Sequence, residues 1–284
     1  RKNKLLFKLK NFKSVFYQIR KKIWSKSIVL CYHRVGDTKY DPSNITVSRK
    51  NFESHIHWLK DKFHILTTDE LKQALMHNIN LPSKSILLTF DDGYPSYPYI
   101  ADSLSSLDIS VIFFIATGNS YYNTFWWDIL TQSLLKPRSI KQENIEIIDR
   151  ILKVIKSDMI VEKEISAKIA NDISTWKRLS QNYPARRCFA HEQIVKYIEY
   201  NVKDRDDELF YLLSMLNNDG EKEIEIEKKL NINHSIGGHT CDHFNLALLN
   251  YEEQKQQIIQ NNIQLKKIFG NEIKYFAYPF GSSD

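Results

Sequence analysis

The sequence predicts an α/β fold in which parallel strands alternate with helices. Short apolar runs recur along the chain, and segments whose apolar residues have helical spacing separate them. Glycine and proline are scarce, at 8 and 7 of 284 residues, which excludes fibrous and low-complexity proteins. Because parallel strands need a crossover connection, this alternation is typical of a parallel sheet or barrel.

The chain begins with a basic segment, residues 1–26, that we predict to be an amphipathic helix. Apolar residues recur at helical spacing over residues 4–24. The segment holds ten lysine or arginine residues and no acid, so the rest of the chain has 30 basic against 34 acidic residues. Two interpretations stay open: a helix on an anionic membrane surface, or a helix packed on the body with its charges in solvent. The mildly acidic body gives no indication of nucleic-acid binding.

The body is predicted to begin with a buried strand and to continue with alternating helices and strands. A run of hydroxyl and acidic residues at 67–70 predicts a helix start, with Thr68 as its N-cap. The predicted strands of this first part are residues 27–33, 86–90 and 110–116, and the predicted helices are residues 51–64, the segment after Thr68, and residues 97–107.

The alternation stops after the third strand. Residues 121–230 contain helical patterns without a clear strand, which predicts a helical insertion. A strand pattern resumes at residues 233–238, a helix is predicted at residues 251–269, and residues 275–278 form the last predicted strand.

Polar motifs stand at the ends of two of these strands. The sequence TFDDG at residues 89–93 ends a buried strand in two adjacent carboxylates, whose repulsion a cation would relieve. In HTCDH at residues 239–243 the two histidines are four residues apart, on one face if the segment turns helically. Two imidazoles and a carboxylate suit a borderline divalent metal and leave positions for water and substrate. The acid pair therefore indicates one metal ligand and one general base.

A third motif, YFAYPFG at residues 275–281, completes the set. In their order and residues the three motifs resemble those of the polysaccharide deacetylase family, also called NodB-homology or carbohydrate esterase family 4 enzymes. Those enzymes carry T-F-D-D-G, H-[ST]-x-x-H and R-x-P-[FY]-G. The resemblance implies an irregular (β/α) barrel of the NodB-homology type over residues 27–284. This barrel would be incomplete at the C-terminus and interrupted by the helical insertion at about residues 121–230.

The resemblance also implies a role for each motif residue. Asp92, His239 and His243 would bind a divalent metal, with zinc as the first choice and other divalent transition metals open. Asp91 would be the general base that takes a proton from the attacking water. The backbone N–H of Phe280 would stabilise the oxyanion, because a main-chain donor survives replacement of the side chain.

The sequence departs from the family pattern at two places. Ala277 stands where the family has an arginine that orients the base, so another group must orient Asp91. The later family motifs, which supply a histidine as general acid, have no counterpart before Asp284. Either the chain is truncated or another residue serves; His33, at the end of the first predicted strand, is within reach of the same end of the barrel.

Aromatic residues near the motifs are candidates for substrate contact. We expect Tyr94 and Tyr278 to contact substrate, although a core role for Tyr278 is an equal alternative. Trp126 belongs to a tryptophan pair that opens the insertion. It would stack on a sugar ring or, in the alternative interpretation, anchor the insertion on the barrel.

The expected function is metal-dependent removal of acetyl groups from an N-acetylated, or O-acetylated, polysaccharide or glycan precursor. The alternatives are a non-catalytic carbohydrate-binding protein that retains the metal site and an amidohydrolase on a non-sugar substrate. No run of 18 apolar residues and no signal peptide can be seen in the sequence. The expected location is therefore cytoplasmic or peripheral to the membrane, with membrane contact through residues 4–24 as an open option.

Overall fold

The computed structural model describes residues 27–118, 125–201, 207–216 and 233–281. The helix predicted within residues 1–26 lies outside these ranges. The described chain forms a strand-rich body and a group of helices inserted between two of its strands. None of the described helices combines the length and the apolar content that a membrane crossing requires.

The body is built on a parallel sheet that curls into half a barrel, which confirms the predicted α/β fold class. The described strands are β1 (Ile28–Tyr32), β2 (Arg34–Val35), β3 (Thr46–Val47), β4 (His64–Ile65), β5 (Ser85–Phe90), β6 (Ile112–Ile115), β7 (Ser235–Gly238) and β8 (Tyr275–Phe276). Six of them form one sheet in the order β1-β5-β6-β7-β8, with β4 also paired to β5, while β2 and β3 pair separately. Every pairing between these strands is parallel.

The described helices divide between the body and the insertion. They are α1 (Arg49–Lys62), α2 (Thr68–His77), α3 (Tyr97–Ser105), α4 (Trp126–Leu134), α5 (Gln142–Val154), α6 (Ala167–Thr175), α7 (Arg186–Asn201), α8 (Asp207–Met215) and α9 (Tyr251–Phe269). Helices α4 to α8 follow one another between β6 and β7, in the segment where we predicted helices. The division of the whole chain into domains stays a prediction.

Two details of the sequence prediction needed correction. The two-residue strands β2, β3 and β4 were not predicted, because two residues carry no periodicity. Helix α2 begins one residue earlier than predicted, with Thr67 rather than Thr68 as the N-cap. The Thr67 hydroxyl accepts a hydrogen bond from the Glu70 N–H, and the Glu70 carboxylate accepts one from the Thr67 N–H. This reciprocal capping box satisfies two N–H groups of the first turn and so fixes the helix start.

The strand that leads to the acid pair, β5, is buried along its whole length. Leu88 and Phe90 pack in the core beneath α1, α3 and α9, whereas Leu87 faces a smaller apolar cluster on the opposite side of the sheet. Gly93, just after the acid pair, has a φ of 109°, and a Cβ there would lie 3.1 Å from Ile115 Cγ2. The turn after the acid pair therefore requires glycine.

Helices α4 to α8 enclose a hydrophobic core of their own, separate from the core beneath the sheet. The fully buried Arg187, at the start of α7, satisfies backbone carbonyls in the two segments that flank α5. Its guanidinium donates hydrogen bonds of 2.5–2.6 Å to the carbonyls of Pro137, Glu162 and Lys163, and a longer one of 3.4 Å to that of Arg138. This side chain thus fastens both ends of α5 to α7.

Candidate metal centre and active site

The carboxyl ends of parallel strands meet at one edge of a sheet, and this brings the three motifs together. Asp91 and Asp92 directly follow β5, and His239 directly follows β7. A cavity of about 450 Å³ opens at this edge. Eight of the nine predicted site residues line it, namely His33, Asp91, Asp92, Trp126, His239, His243, Tyr278 and Phe280.

Asp92, His239 and His243 form a compact cluster whose ligand atoms all lie within 4.8 Å of one another. Asp92 Oδ1 is 3.4 Å from His239 Nε2 and 3.2 Å from His243 Nε2. This oxygen is buried and has no hydrogen-bond partner in the part of the chain that the structure describes. Since buried polar atoms are almost always partnered, an orphaned carboxylate oxygen facing two imidazoles fits a cation bound among them.

The ring of His239 is oriented by the backbone at position 277. His239 Nδ1 lies 2.9 Å from the carbonyl oxygen of Ala277, so this nitrogen is assigned as the N–H donor. The lone pair of Nε2 then points toward Asp92, which is the tautomer that a metal ligand needs. Position 277 lacks the arginine of the family pattern, and it contributes to the site through its main chain instead.

The two acids differ in their affinity for a proton. Burial alone would raise the pKa of Asp92, but the neighbouring His239 and His243 outweigh it and hold that pKa well below its usual range. For Asp91 burial dominates and raises the pKa, against the opposing charge of His239. Asp92 therefore stays a carboxylate that can bind a cation, while Asp91 is the better proton acceptor, as a general base requires.

The surroundings of Asp91 come from β1 and α3 rather than from β8. Its carboxylate has an oxygen within 4.8 Å of ligand atoms of Cys31 and His33. Its backbone N–H donates a hydrogen bond of 2.9 Å to the carbonyl of Tyr32, and its backbone carbonyl accepts one from the Tyr97 hydroxyl. The described neighbours of Asp91 are thus supplied by β1, by His33 directly after it, and by α3.

A buried amide on α9 holds the start of the histidine motif, and the sequence analysis did not find it. Asn261 Oδ1 accepts a hydrogen bond of 3.1 Å from the His239 N–H, and its Nδ2 donates one of 2.9 Å to the Ile115 carbonyl. This close approach needs a glycine on β7, because a Cβ on Gly238 would lie 2.6 Å from Asn261 Oδ1. Asn261 therefore ties the ends of β6 and β7 to one helix.

One turn earlier on the same helix, Gln257 holds the middle of the histidine motif. Its Oε1 accepts hydrogen bonds from the N–H groups of Cys241 and Asp242, at 3.1 and 2.9 Å. Its Nε2 donates a further bond of 2.6 Å to Asp242 Oδ2. The loop between the two histidines is therefore fixed by two amides spaced four residues apart on α9.

We expect Asn261→Ala to weaken zinc binding by about 10–100-fold, the usual cost of losing a group that orients a ligand. The substitution removes the acceptor of the His239 backbone N–H and loosens the backbone that holds the imidazole beside Asp92. Zinc affinity would be measured by competition with a chromophoric chelator. The neighbouring Asn262→Ala is the matched control, since Asn262 only donates a 3.5 Å bond to the Ile273 carbonyl. Equal affinity in the two variants would contradict the role of Asn261.

Two of the three motifs and the end of the third contain strained backbone. Four residues of the motifs have left-handed backbone conformations, although none of them is glycine. Such conformations cost on the order of 1–3 kcal/mol each and persist where the surrounding structure enforces them. The four φ values are 87° at Asp92, 66° at Thr240, 56° at His243 and 61° at Phe280.

The prediction that Tyr94 contacts substrate is corrected by its position. Tyr94 is 3% exposed and does not line the cavity. Its hydroxyl accepts a hydrogen bond of 2.9 Å from Nε1–H of Trp127, whose ring lies 4.9 Å from the ring of His243. Tyr94 thus supports Trp127, which in turn packs against a candidate metal ligand.

The other aromatic candidates differ in how much surface they offer. Trp126 borders the cavity but is 6% exposed and packs in the core of the insertion, which agrees with the anchor interpretation. Tyr278 and Phe280 are exposed at the cavity, and the Phe280 ring lies 4.9 Å from that of His243. Tyr278 and Phe280 are therefore accessible to a ligand, while Trp126 mainly closes one side.

Part of the cavity lining belongs to the insertion. We call it the insertion wall and define it as the following residues: Trp126, Trp127, Arg178, Val195 and Glu199. Sequence reasoning did not predict the last three, because nothing in their local pattern distinguishes them from other residues of the insertion.

Comparison with known proteins gives one family. A sequence model described as polysaccharide deacetylase matches residues 78–147 and 206–284, which is more than half of the 284 residues. "Putative polysaccharide deacetylase YxkH" of Bacillus subtilis (strain 168) is 34% identical over 71 residues. That alignment covers 25% of this chain and 24% of the relative, so the chain spans about a quarter of the length of the curated protein it matches.

Solved structures with a detectable similarity to this chain include one that is described as a deacetylase. Streptococcus pyogenes deacetylase PplD in complex with acetate is 15% identical, with a TM-score of 0.47 over 91% of this chain and 76% of that one. IcaB from Ammonifex degensii is 20% identical, with a TM-score of 0.44 over 92% of this chain and 76% of that one. At these TM-scores the likeness supports no conclusion about the site or its substrate.

Proposed function

We propose that this chain, which belongs to the polysaccharide deacetylase family, hydrolyses the acetyl amide bond of an N-acetylated glycan with a divalent metal held by Asp92, His239 and His243. The observation that carries this proposal is the cluster of these three residues beside Asp91 in one cavity. The family is generally metal-dependent. Zinc is our first choice, because it is commonly bound by two histidines and one carboxylate with a position left open.

The proposed reaction adds water to the acetyl carbonyl and releases acetate and an amine. A divalent cation bound at the cluster would polarise the carbonyl and make water at the site more acidic. Asp91 accepts the proton of the attacking water; its raised pKa and its place beside the cluster support this role. The backbone N–H of Phe280 donates to the oxygen of the acetyl group as negative charge develops there.

The departing amine needs a proton, and we assign His33 as the proton donor. Three histidines line the cavity among the residues that the structure describes. His239 and His243 face Asp92, which leaves His33 as the histidine available for proton transfer. It follows β1 at the same edge of the sheet as Asp91, so both proton-transfer groups border the same space.

Metal removal tests the proposed function. We expect acetate release from N-acetylchitooligosaccharides to fall at least ~100-fold after chelation and to return with added zinc, because the cation stabilises the charge that develops in the transition state. Acetate would be quantified by an enzyme-coupled assay, with chelator removed before substrate is added. Release that persisted unchanged after complete metal removal would refute the proposal. A protein that binds metal and glycan but releases no acetate would favour the non-catalytic alternative.

A further inference from the structure

The insertion wall contains polar groups that the proposed reaction does not use. Arg178 lies in a short 3-10 turn, Arg178–Ser180, and Glu199 lies near the end of α7. Both side chains line the same cavity as Asp91 and Asp92. Because the reaction is confined to the motif side, these two residues are available for the rest of a substrate.

The two side chains form a bidentate ion pair of fixed geometry. Arg178 Nη1 and Nη2 each lie 2.9 Å from a different oxygen of the Glu199 carboxylate. The side chains are 16% and 15% exposed, so the pair is neither sealed in the core nor free on the surface. The Arg178 backbone N–H donates to the Pro42 carbonyl at 2.9 Å, and the Glu199 carbonyl accepts from Asn245 Nδ2 at 3.5 Å. Both residues are thus fastened to segments outside the insertion.

The chemistry of the pair indicates what it would bind. The two charges cancel, which makes this part of the wall polar without a net charge. Each terminal guanidinium nitrogen keeps a second N–H, and each carboxylate oxygen keeps a lone pair. Donors and acceptors that lie side by side in one plane match neighbouring hydroxyl groups of a sugar. Because the two charges neutralise each other, the pair attracts a charged ligand less than either group alone would.

We propose that Arg178 and Glu199 form a binding subsite for an uncharged, hydroxyl-bearing sugar residue next to the acetylated one. Trp127 lines the same cavity and would add apolar surface for the C–H groups of the ring. The inference rests on the proposed function, since the acetylated residue must lie at the Asp92 cluster. If the inference holds, the insertion determines that an oligosaccharide is preferred over an isolated acetyl compound.

The test compares a long and a short substrate in Glu199→Gln and Arg178→Lys. Glu199→Gln keeps the size of the side chain, and Arg178→Lys keeps the charge but loses the planar fork. We expect kcat/KM for tetra-N-acetylchitotetraose to fall about ten-fold or more, as expected for a lost hydrogen bond to a charged group. Hydrolysis of 4-nitrophenyl acetate, which reaches only the motif side, should stay within about two-fold of wild type.

Arg150→Gln is the matched control, because Arg150 belongs to an ion pair with Glu208 elsewhere on the insertion and does not line the cavity. It should leave both substrates unaffected. Thermal unfolding of each variant would show that the fold is retained. An equal loss on the long and the short substrate, or no loss on either, would overturn the subsite.

Direct binding separates the subsite from the proposed function. If wild-type protein released no acetate, the proposed function would fail, but the tetrasaccharide could still be titrated by calorimetry. A Kd about ten-fold weaker in Glu199→Gln than in Arg150→Gln would support the subsite. Equal affinities in wild type and both variants, or no binding to wild type, would overturn it.

Discussion

Asp92→Asn is expected to lose the bound metal and acetate release together, whereas Asp91→Asn is expected to lose acetate release alone. The two substitutions are isosteric and lie at adjacent positions, so they differ only in the role of the carboxylate. The affinity of Asp92→Asn for zinc should fall by more than the ~10–100-fold expected for a residue that only supports a ligand. Asp91→Asn should retain zinc and lose about 10²–10⁴-fold in turnover, the usual contribution of a general base.

The geometry explains why the adjacent acids separate in this way. Asp92 Oδ1 faces both imidazole Nε2 atoms at 3.2–3.4 Å, and the proximity of these histidines keeps its pKa low. The carboxylate of Asp91 lies instead beside Cys31 and His33 and has a raised pKa. The left-handed backbone at Asp92 turns the two side chains to different surroundings.

Metal content by mass spectrometry and acetate release by coupled assay would both be measured on each variant. Metal loss in Asp91→Asn equal to that in Asp92→Asn would show that the two acids share one role as ligands. Full turnover in Asp91→Asn would remove it as the base and leave the cluster without an assigned proton acceptor.

Arg187→Ala is expected to lower the free energy of unfolding by about 3–5 kcal/mol, the range for removing one partner from a buried charged network. The substitution removes the guanidinium donor from the carbonyls of Pro137, Glu162 and Lys163. The Lys163 carbonyl keeps a hydrogen bond from the Ile140 N–H. A cavity is left as well, because Arg187 is among the largest fully buried side chains. The loss would be a large fraction of the stability of a typical domain.

The neighbouring residue provides the control for this prediction. Arg186 is exposed and makes a 3.6 Å ion pair with Glu162, so Arg186→Ala should cost no more than about 1 kcal/mol. Both variants would be unfolded in urea and compared by midpoint and slope. A midpoint for Arg187→Ala as close to wild type as that for Arg186→Ala would show that the carbonyls find other donors.

The parts of the site that could be predicted are those whose chemistry is local in sequence. The acid pair follows a buried apolar run directly, and His239 and His243 are four residues apart, so residue type and spacing carry the signal. The parallel order of the strands then brings the two motifs to one edge, because crossover connections return the chain in the same direction. The alternation of strands and helices predicted the fold class for the same reason.

The parts that could not be predicted depend on contacts between distant segments. Asn261 and Gln257 lie in a helix rich in polar residues, and a buried amide has no local pattern that separates it from an exposed one. Arg178 and Glu199 are recognisable as a pair only once the 3-10 turn and α7 are packed together. Tyr94 was assigned to substrate because it is close in sequence to the acid pair, but Trp127 covers its hydroxyl.

The left-handed residues at the cavity have a consequence for how this protein could change. Replacing such a residue by glycine relieves strain in the folded chain but removes a side chain that the site uses. Asp92 and His243 are candidate ligands, the Thr240 hydroxyl accepts a hydrogen bond from the His243 N–H, and the Phe280 ring packs against that of His243. Selection for heat resistance would favour relief of that strain, whereas selection for turnover would preserve it. The two pressures would therefore act in opposite directions on the same four positions, Asp92, Thr240, His243 and Phe280.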